Sequence, residues 1–424
     1  MTLAKRILVG TGALLMAMIM AGPSQAAKIA ISCGALGQEL SLCREGVALW
    51  IAQTGHEVSV ISTPNSSTDR LALYQQILAA RSSDIDVFQI DEIWPGVLGH
   101  HFMDLTPVMG DATTRHFAAT IGNNMQDGRL VAMPWFADAG VLYYRKDLLE
   151  KYDASVPETW QDLTETAARI QQAERAAGND RMWGHVFQGR AYEGLNCNAL
   201  EWVVSYNGGS VVEADGEISI NNDKAKEAIA MATGWIGTIT PDEVLGYAEE
   251  ESRGVFQSGN SVFMRNWPYA WALLNAADSS VRGQVGVAAL PKGGADGQSA
   301  ATLGGGQLSV SKYSENPEIA ADLVKFLTSR DEQKRRAIKG AFRPTIAGLY
   351  DDEEILAANP FFGDLYETFV HAVPRPSTVT GNKYNQVSHQ FWQAVHAALS
   401  GEVAVEQTLE NLDQNLHRIR DSGW

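Results

Sequence analysis

At 424 residues, 45% hydrophobic and 20% charged, the chain has the composition of a globular protein with room for two or three domains, which excludes a disordered or fibrous chain. A formal charge of −17 excludes a nucleic-acid binder, because phosphates demand a basic face. Three cysteines without a histidine cluster make no zinc site, and no metal or other cofactor is expected.

The first 26 residues are a separate object. Lys5 and Arg6 precede an apolar run over 7–21 and the end Gly-Pro-Ser-Gln-Ala-Ala, the pattern of a secretory signal peptide cleaved after Ala26. Cleavage removes two basic residues and no acid, leaving 31 against 50, or −19. The residue just after the cut is Ala27 and not a cysteine, which speaks against a lipid anchor, and no later apolar run reaches the roughly 18 residues of a membrane helix, so a soluble exported product is expected.

The run 28–32 reads as a buried strand stopping at the segment 34–37, followed by a helix with Leu40, Cys43, Val47 and Trp50 on one face and a strand over 58–61. A second helix carries Leu71, Tyr74, Ile77 and Leu78 and leads to a strand over 86–90, with Asp91 and Glu92 at its C-terminal edge. Such alternation implies a largely parallel sheet whose ligands bind beyond the carboxyl ends of the strands, where Asp91, the 34–39 turn and the loop before Arg70 converge. Export permits a disulfide, and Cys33 with Cys43 would close a loop of about ten residues, leaving Cys197 as a buried free thiol. His100 and His101 read as neighbours that point apart on a solvated loop.

A second lobe begins near Asp138. Its signals are a strand over 141–144, a capping box at Thr159 and Asp162, a helix opening at 221–223, and a strand over 285–290 that runs into the Gly-rich segment 291–297. A further strand lies at 308–310, and a helix with Pro317 at its first position follows. The chain is helical from about 345, ending in the stripe Val405, Leu409, Leu412, Leu416 and Ile419. The expected division is 27–136 with 291–344 in one lobe and 137–290 with 345–424 in the other.

The stretch 264–271, Met-Arg-Asn-Trp-Pro-Tyr-Ala-Trp, sets three large aromatics around a proline. Pro268 fixes its own φ and restrains Trp267, so the flanking rings are aimed by the backbone. The faces of Trp267 and Tyr269 suit the C–H face of a sugar, with polar edges left for hydrogen bonds.

Together with the segments 67–74, 82–88, 138–151, 192–197, 265–271 and 300–305, this pattern resembles extracytoplasmic solute-binding proteins of ABC importers, and more narrowly the trehalose/maltose-binding proteins. The resemblance implies an α/β, two-lobe periplasmic binding protein fold with its ligand cleft between lobes joined by hinge crossovers. It also implies a monomer in the periplasm that hands a sugar to the membrane permease subunits of its transporter. Carried over by position, Glu39, Arg70 and Asp91 would contact a glycoside from the first lobe, Asp138 from near the crossover, and Trp267, Tyr269 and Trp271 from the second lobe, with Gly304 and Gly305 supplying close backbone.

The chain departs from that pattern at three places: Gly306 stands where the family carries a tryptophan, Arg343 where a small polar residue is expected, and Phe136 where tyrosine is common. A missing indole opens room and an added guanidinium brings charge, so the expected ligand extends from trehalose, maltose and sucrose to glucosylglycerol, glucosylglycerate or a sucrose isomer. The alternative is that Trp271 or a neighbouring side chain fills the place above Gly306. A secreted glycoside hydrolase is the competing class. It needs two carboxyls roughly 5 to 10 Å apart, for which Asp91 with Glu92 is unsuited and Asp138 with Glu39 conceivable. No nucleophile elbow, phosphate loop or His-Glu-x-x-His supports an enzyme. A structural or adhesive domain would leave the run 265–271 unexplained.

Overall fold

Segments that are apolar on both faces, such as those around Ile29, Ile31 and Val87, are satisfied only in a sheet covered on both sides. The computed structural model, which describes residues 26–424, places them there. The predicted leader lies outside the described residues apart from Ala26. Among the described residues no helix is long and apolar enough to cross a membrane.

The strands in chain order are β1 (Lys28–Cys33), β2 (Glu57–Ser62), β3 (Val87–Asp91), the short hairpin β4 (Met125–Gln126) and β5 (Arg129–Leu130), and then β6 (Met133–Ala139). After them come β7 (Val141–Arg145), β8 (Trp183–Val186), β9 (Ser261–Asn266), β10 (Val285–Ala288) and β11 (Leu303–Val310). One sheet runs β2-β1-β3-β11-β6 and the other β10-β7-β9-β8, so the molecule has two α/β lobes. In the first sheet β1 pairs parallel with β2 and β3, while β11 lies antiparallel between β3 and β6. The capping box at Thr159 opens the helix Trp160–Ala176, and Pro317 opens Pro317–Leu327.

The chain passes between the lobes where three segments run side by side. Only Gly140 separates β6 of one sheet from β7 of the other. At the return, Val373 exchanges backbone hydrogen bonds of 2.8 Å with Ala301 and Leu303 on either side of Thr302. Both Gly140 and Thr302 lean on one buried ion pair. A side chain at Gly140 would strike Glu201 and Arg265, and the Thr302 amide donates to Glu201 at 3.1 Å. Glu201 in turn accepts from Arg265 Nε at 2.8 Å, with both side chains at most 1% exposed.

Lys292 and Gly293 bond to Glu158 and Ser205 of the second lobe. The helix Glu353–Ala358 packs on Arg330–Gly340 of the first lobe, Asn359 donating to the Ala337 carbonyl at 2.9 Å, and only Tyr384–Leu399 and Val405–Arg420 rejoin the second. We propose a division at 140, 300 and the segment 373–384.

Cys33, at the end of β1, is joined to Cys43 in the helix Glu39–Thr54, tying that helix to its strand, and Cys197 is free and buried. His100 and His101 do not point apart. They sit in a 3-10 turn with ring centroids 3.9 Å apart, and His101 shares a 2.7 Å hydrogen bond with Tyr313, because helical turns, unlike strands, do not send neighbours to opposite faces.

Removing one partner of a buried pair strands the other charge, so Glu201→Gln should cost about 3–5 kcal/mol in urea unfolding. The double replacement Glu201→Leu with Arg265→Met should cost clearly less. Equal losses for the two would show that the pair does not act as a unit.

Candidate functional site

The cleft takes its first wall from the carboxyl ends of β1 and β3. Glu39 opens its helix with its side chain turned back over the strand ends, accepting from Gln89 Nε2 at 2.7 Å and from the Leu36 amide at 3.3 Å. Arg70, in the first turn of Ser67–Ala79, is held by the Pro64 carbonyl at 3.1 Å. Gly34 is required between them, since a Cβ there would overlap the Glu39 carboxylate and the Arg70 guanidinium. Phe136 and Asp138, two apart in β6, face the same space, as do Asp91, Gly304 and Gly305. At Gly305 φ is +130°, a conformation reserved for glycine, and any side chain would meet the Phe136 carbonyl.

From the second lobe comes Trp267, whose ring lies over Gly304, with its face 4.0 Å from the Arg265 guanidinium and Nε1 donating to Glu249 at 3.4 Å. Tyr143 donates to the carbonyls of Trp267 and Pro268 at 2.9 and 3.1 Å and so fixes the turn. The helix Glu193–Ser205 adds Glu193, Gly194 and Cys197. Burial pushes the Cys197 thiol far up, leaving it an inert wall atom.

Arg375 closes the site. Its guanidinium reaches Asp91 at 2.9 Å and Glu92 at 3.2 Å on the first lobe and Glu193 at 2.9 Å on the second. Asp91 and Glu92 therefore meet at one group, contrary to the expectation that they diverge. β3 ends at Asp91, and strand alternation no longer governs the residue after it. The lobes also touch where Thr68 accepts from the Glu193 amide at 3.1 Å and Asp69 faces Arg190 at 3.7 Å.

Of the predicted residues, Glu39, Arg70, Asp91, Phe136, Asp138, Trp267, Gly304 and Gly305 come together, and four do not. Tyr269 is buried against Gly37 with its hydroxyl on Glu250 at 2.7 Å. Trp271 donates to the Ala358 carbonyl at 3.0 Å and packs on Phe361. After Pro268 the chain turns into the helix Ala270–Leu274, with Tyr269 just before it and Trp271 in its first turn. Gly306 opens no room, because the Phe136 ring lies where its Cβ would be. Arg343 is outside the cleft, its Nε on the Tyr350 hydroxyl at 3.1 Å and its guanidinium 3.5 Å from the Phe369 ring.

Sequence reading missed Gln89, Glu193 and Arg375. Each had a signal: a lone amide inside the apolar run 87–90, an acid in the matched segment 192–197, and an arginine between Pro374 and Pro376.

Burial pushes the Asp138 carboxyl up to about 8 despite the pull of Arg343, and one of its oxygens has no protein partner. Burial likewise raises Glu92 to about 7, against the pull of Arg375. The site thus offers an apolar ring face, ionic hydrogen-bonding groups and a carboxyl able to donate or accept, a set suited to a polyhydroxylated ring.

Residues 47–334 match the model of the bacterial extracellular solute-binding protein family. A probable ABC transporter-binding protein of Deinococcus radiodurans is 50% identical over 406 residues, 95% of this chain and 96% of that one. A mannitol-binding protein of Pseudomonas aeruginosa is 24% identical over 309 residues, 69% of each chain. Among solved structures, maltose-bound T. maritima MalE3 superposes with a TM-score of 0.88 at 40% identity, covering 93% of this chain and 100% of that one. A solute-binding protein of Agrobacterium vitis with D-mannitol bound reaches 0.81 at 19% identity, covering 94% and 99%, and shares the fold.

Between about pH 4 and 8 folded Asp138 keeps a proton that the unfolded chain has released, so its contribution to stability falls as pH rises through that window. Asp138→Asn carries no such proton. Its stability relative to the native chain in denaturant titrations should therefore rise from pH 5 to pH 8, by up to about 4 kcal/mol at about 1.4 per unit. A difference that stays flat with pH would mean that folded Asp138 is already ionised at pH 5.

Proposed function

Since the chain belongs to the bacterial extracellular solute-binding protein family, we propose that it is the sugar-capturing component of an ABC importer, holding an α-glucosidic disaccharide in the interlobe cleft and presenting it to the membrane permease. The observation that carries this reading is the Trp267 face set across the cleft from Glu39, Arg70 and Asp91. Stacking serves the apolar face of a pyranose, and carboxylates beside a guanidinium serve its hydroxyls, which both donate and accept. The 40% identity to a maltose-bound protein points to a disaccharide in preference to the polyols of more distant relatives.

The geometry weighs against a cleft remade for a bulkier or charged glucoside. Phe136 fills the place above Gly306, and Arg343 does not line the cleft, so neither departure adds room or a cationic contact at its wall. Maltose and trehalose are the ligands this lining suits best. With the lobes in contact the cleft measures about 90 Å3, less than the roughly 300 Å3 at which ligand pockets begin. Entry therefore requires the lobes to part about the three crossings, and Arg375 must then release either Asp91 and Glu92 or Glu193.

Calorimetric titration of the mature protein should give saturable one-to-one binding of maltose or trehalose and much weaker binding of mannitol. Trp267→Ala should weaken it by about 10- to 100-fold, or roughly 1.4–2.8 kcal/mol. Preference for mannitol, or unchanged affinity in Trp267→Ala, would overturn the assignment.

A further inference from the structure

Behind the cleft wall lies a second and larger space, about 490 Å3, that the sugar site does not use. Ala137 stands between Phe136 and Asp138 in β6 and faces the other way, into this chamber. Phe117 and Phe369 supply ring faces, and exposed Ala118, Ala119 and Val370 stand at its mouth, while Thr120, Asn123 and Thr378 supply polar groups whose donors rest on the Phe117 carbonyl, the Glu92 carbonyl and Asn123 Oδ1. The volume falls within the range of small-molecule sites.

Of the two guanidiniums that line the chamber, Arg375 is taken up by Asp91, Glu92 and Glu193, which leaves Arg343. It is 2% exposed, stacks on Phe369 and bonds through Nε to the neutral Tyr350 hydroxyl. Its Nη1 is buried with no protein acceptor, and no carboxylate among the described residues pairs with it. A buried guanidinium is costly unless its N–H groups are met by an acceptor. The nearby acids do not meet that need: Glu92 is committed to Arg375, and burial raises the Asp138 carboxyl.

We propose that this chamber is a second binding site, taking a small hydroxycarboxylate whose carboxylate pairs with Arg343 and whose hydroxyls reach Thr120 and Asn123. A hydrogen bond from a guanidinium to a carboxylate is stronger than one to a neutral acceptor, and the phenylalanine faces suit a carbon skeleton better than a bare inorganic anion. The inference is independent of which sugar the cleft holds. Because Gly304 and Arg375 belong to both walls, occupation of one site shifts affinity at the other by the same factor in both directions.

The test is calorimetry of the mature protein with D-glycerate, with glycerol as the neutral match and inorganic phosphate as the alternative anion. Glycerate should bind saturably at one site while glycerol does not. Arg343→Gln should weaken glycerate at least 10-fold. Ala119→Trp, an exposed position at the mouth, should do so with Arg343 in place, which covers the case in which the arginine variant fails to fold. No saturable glycerate binding, equal binding in both variants, or binding of phosphate alone would overturn the proposal. Maltose titrations on the same samples report the cleft separately, so failure of one reading is distinguishable from failure of the other.

Discussion

The buried pair of Arg265 and Glu201 is the interaction on which both the hinge and the binding platform depend. Desolvating two opposite charges costs several kcal/mol per ion, and only fixed geometry with the remaining hydrogen bonds met offsets it. Arg265 meets that condition through Glu201 on one side and Gln188 Oε1 at 3.0 Å on the other, with the Trp267 ring covering its face. Glu201 extends the constraint to Thr302 at the return crossing and to Gly140 at the outward one. The same bonds that keep the ion pair tolerable therefore set where the chain may bend and which way the indole faces.

One helix carries that constraint from hinge to cleft. In Glu193–Ser205, the residues Glu193, Cys197 and Glu201 are spaced four apart and share a stripe. Glu201 holds the ion pair, the Cys197 carbonyl accepts from the Thr302 hydroxyl at 2.8 Å, and Glu193 meets Arg375 at the cleft edge. Residues that look unrelated in sequence are thereby rungs of one rigid element.

What the sequence revealed follows from how locally each feature is determined. Glu39, Arg70 and Asp91 were legible because the parallel βαβ pattern fixes strand ends, and ligands gather beyond those ends. Trp267 was legible through Pro268, but Tyr269 and Trp271 were assigned with it because a run of aromatics does not show where the chain turns into a helix. Gly306 depended on register: β11 pairs it with Phe136 on β6, and only that pairing reveals which ring fills its place. Glu193 and Arg375 are 182 residues apart and meet only through the third crossing, a juxtaposition that no local pattern carries.

Arg375 faces three carboxyl groups with one positive charge, and burial raises the Glu92 carboxyl to about 7 against the pull of that guanidinium. The guanidinium thereby joins Asp91 and Glu92 on one lobe to Glu193 on the other. Parting the lobes leaves one side without its cation, and the hydroxyls of a bound sugar are groups able to take up the freed hydrogen bonds. A cation shared across the gap therefore favours lobes in contact, and a ligand shifts that balance only by the difference between its contacts in the closed and the parted arrangement.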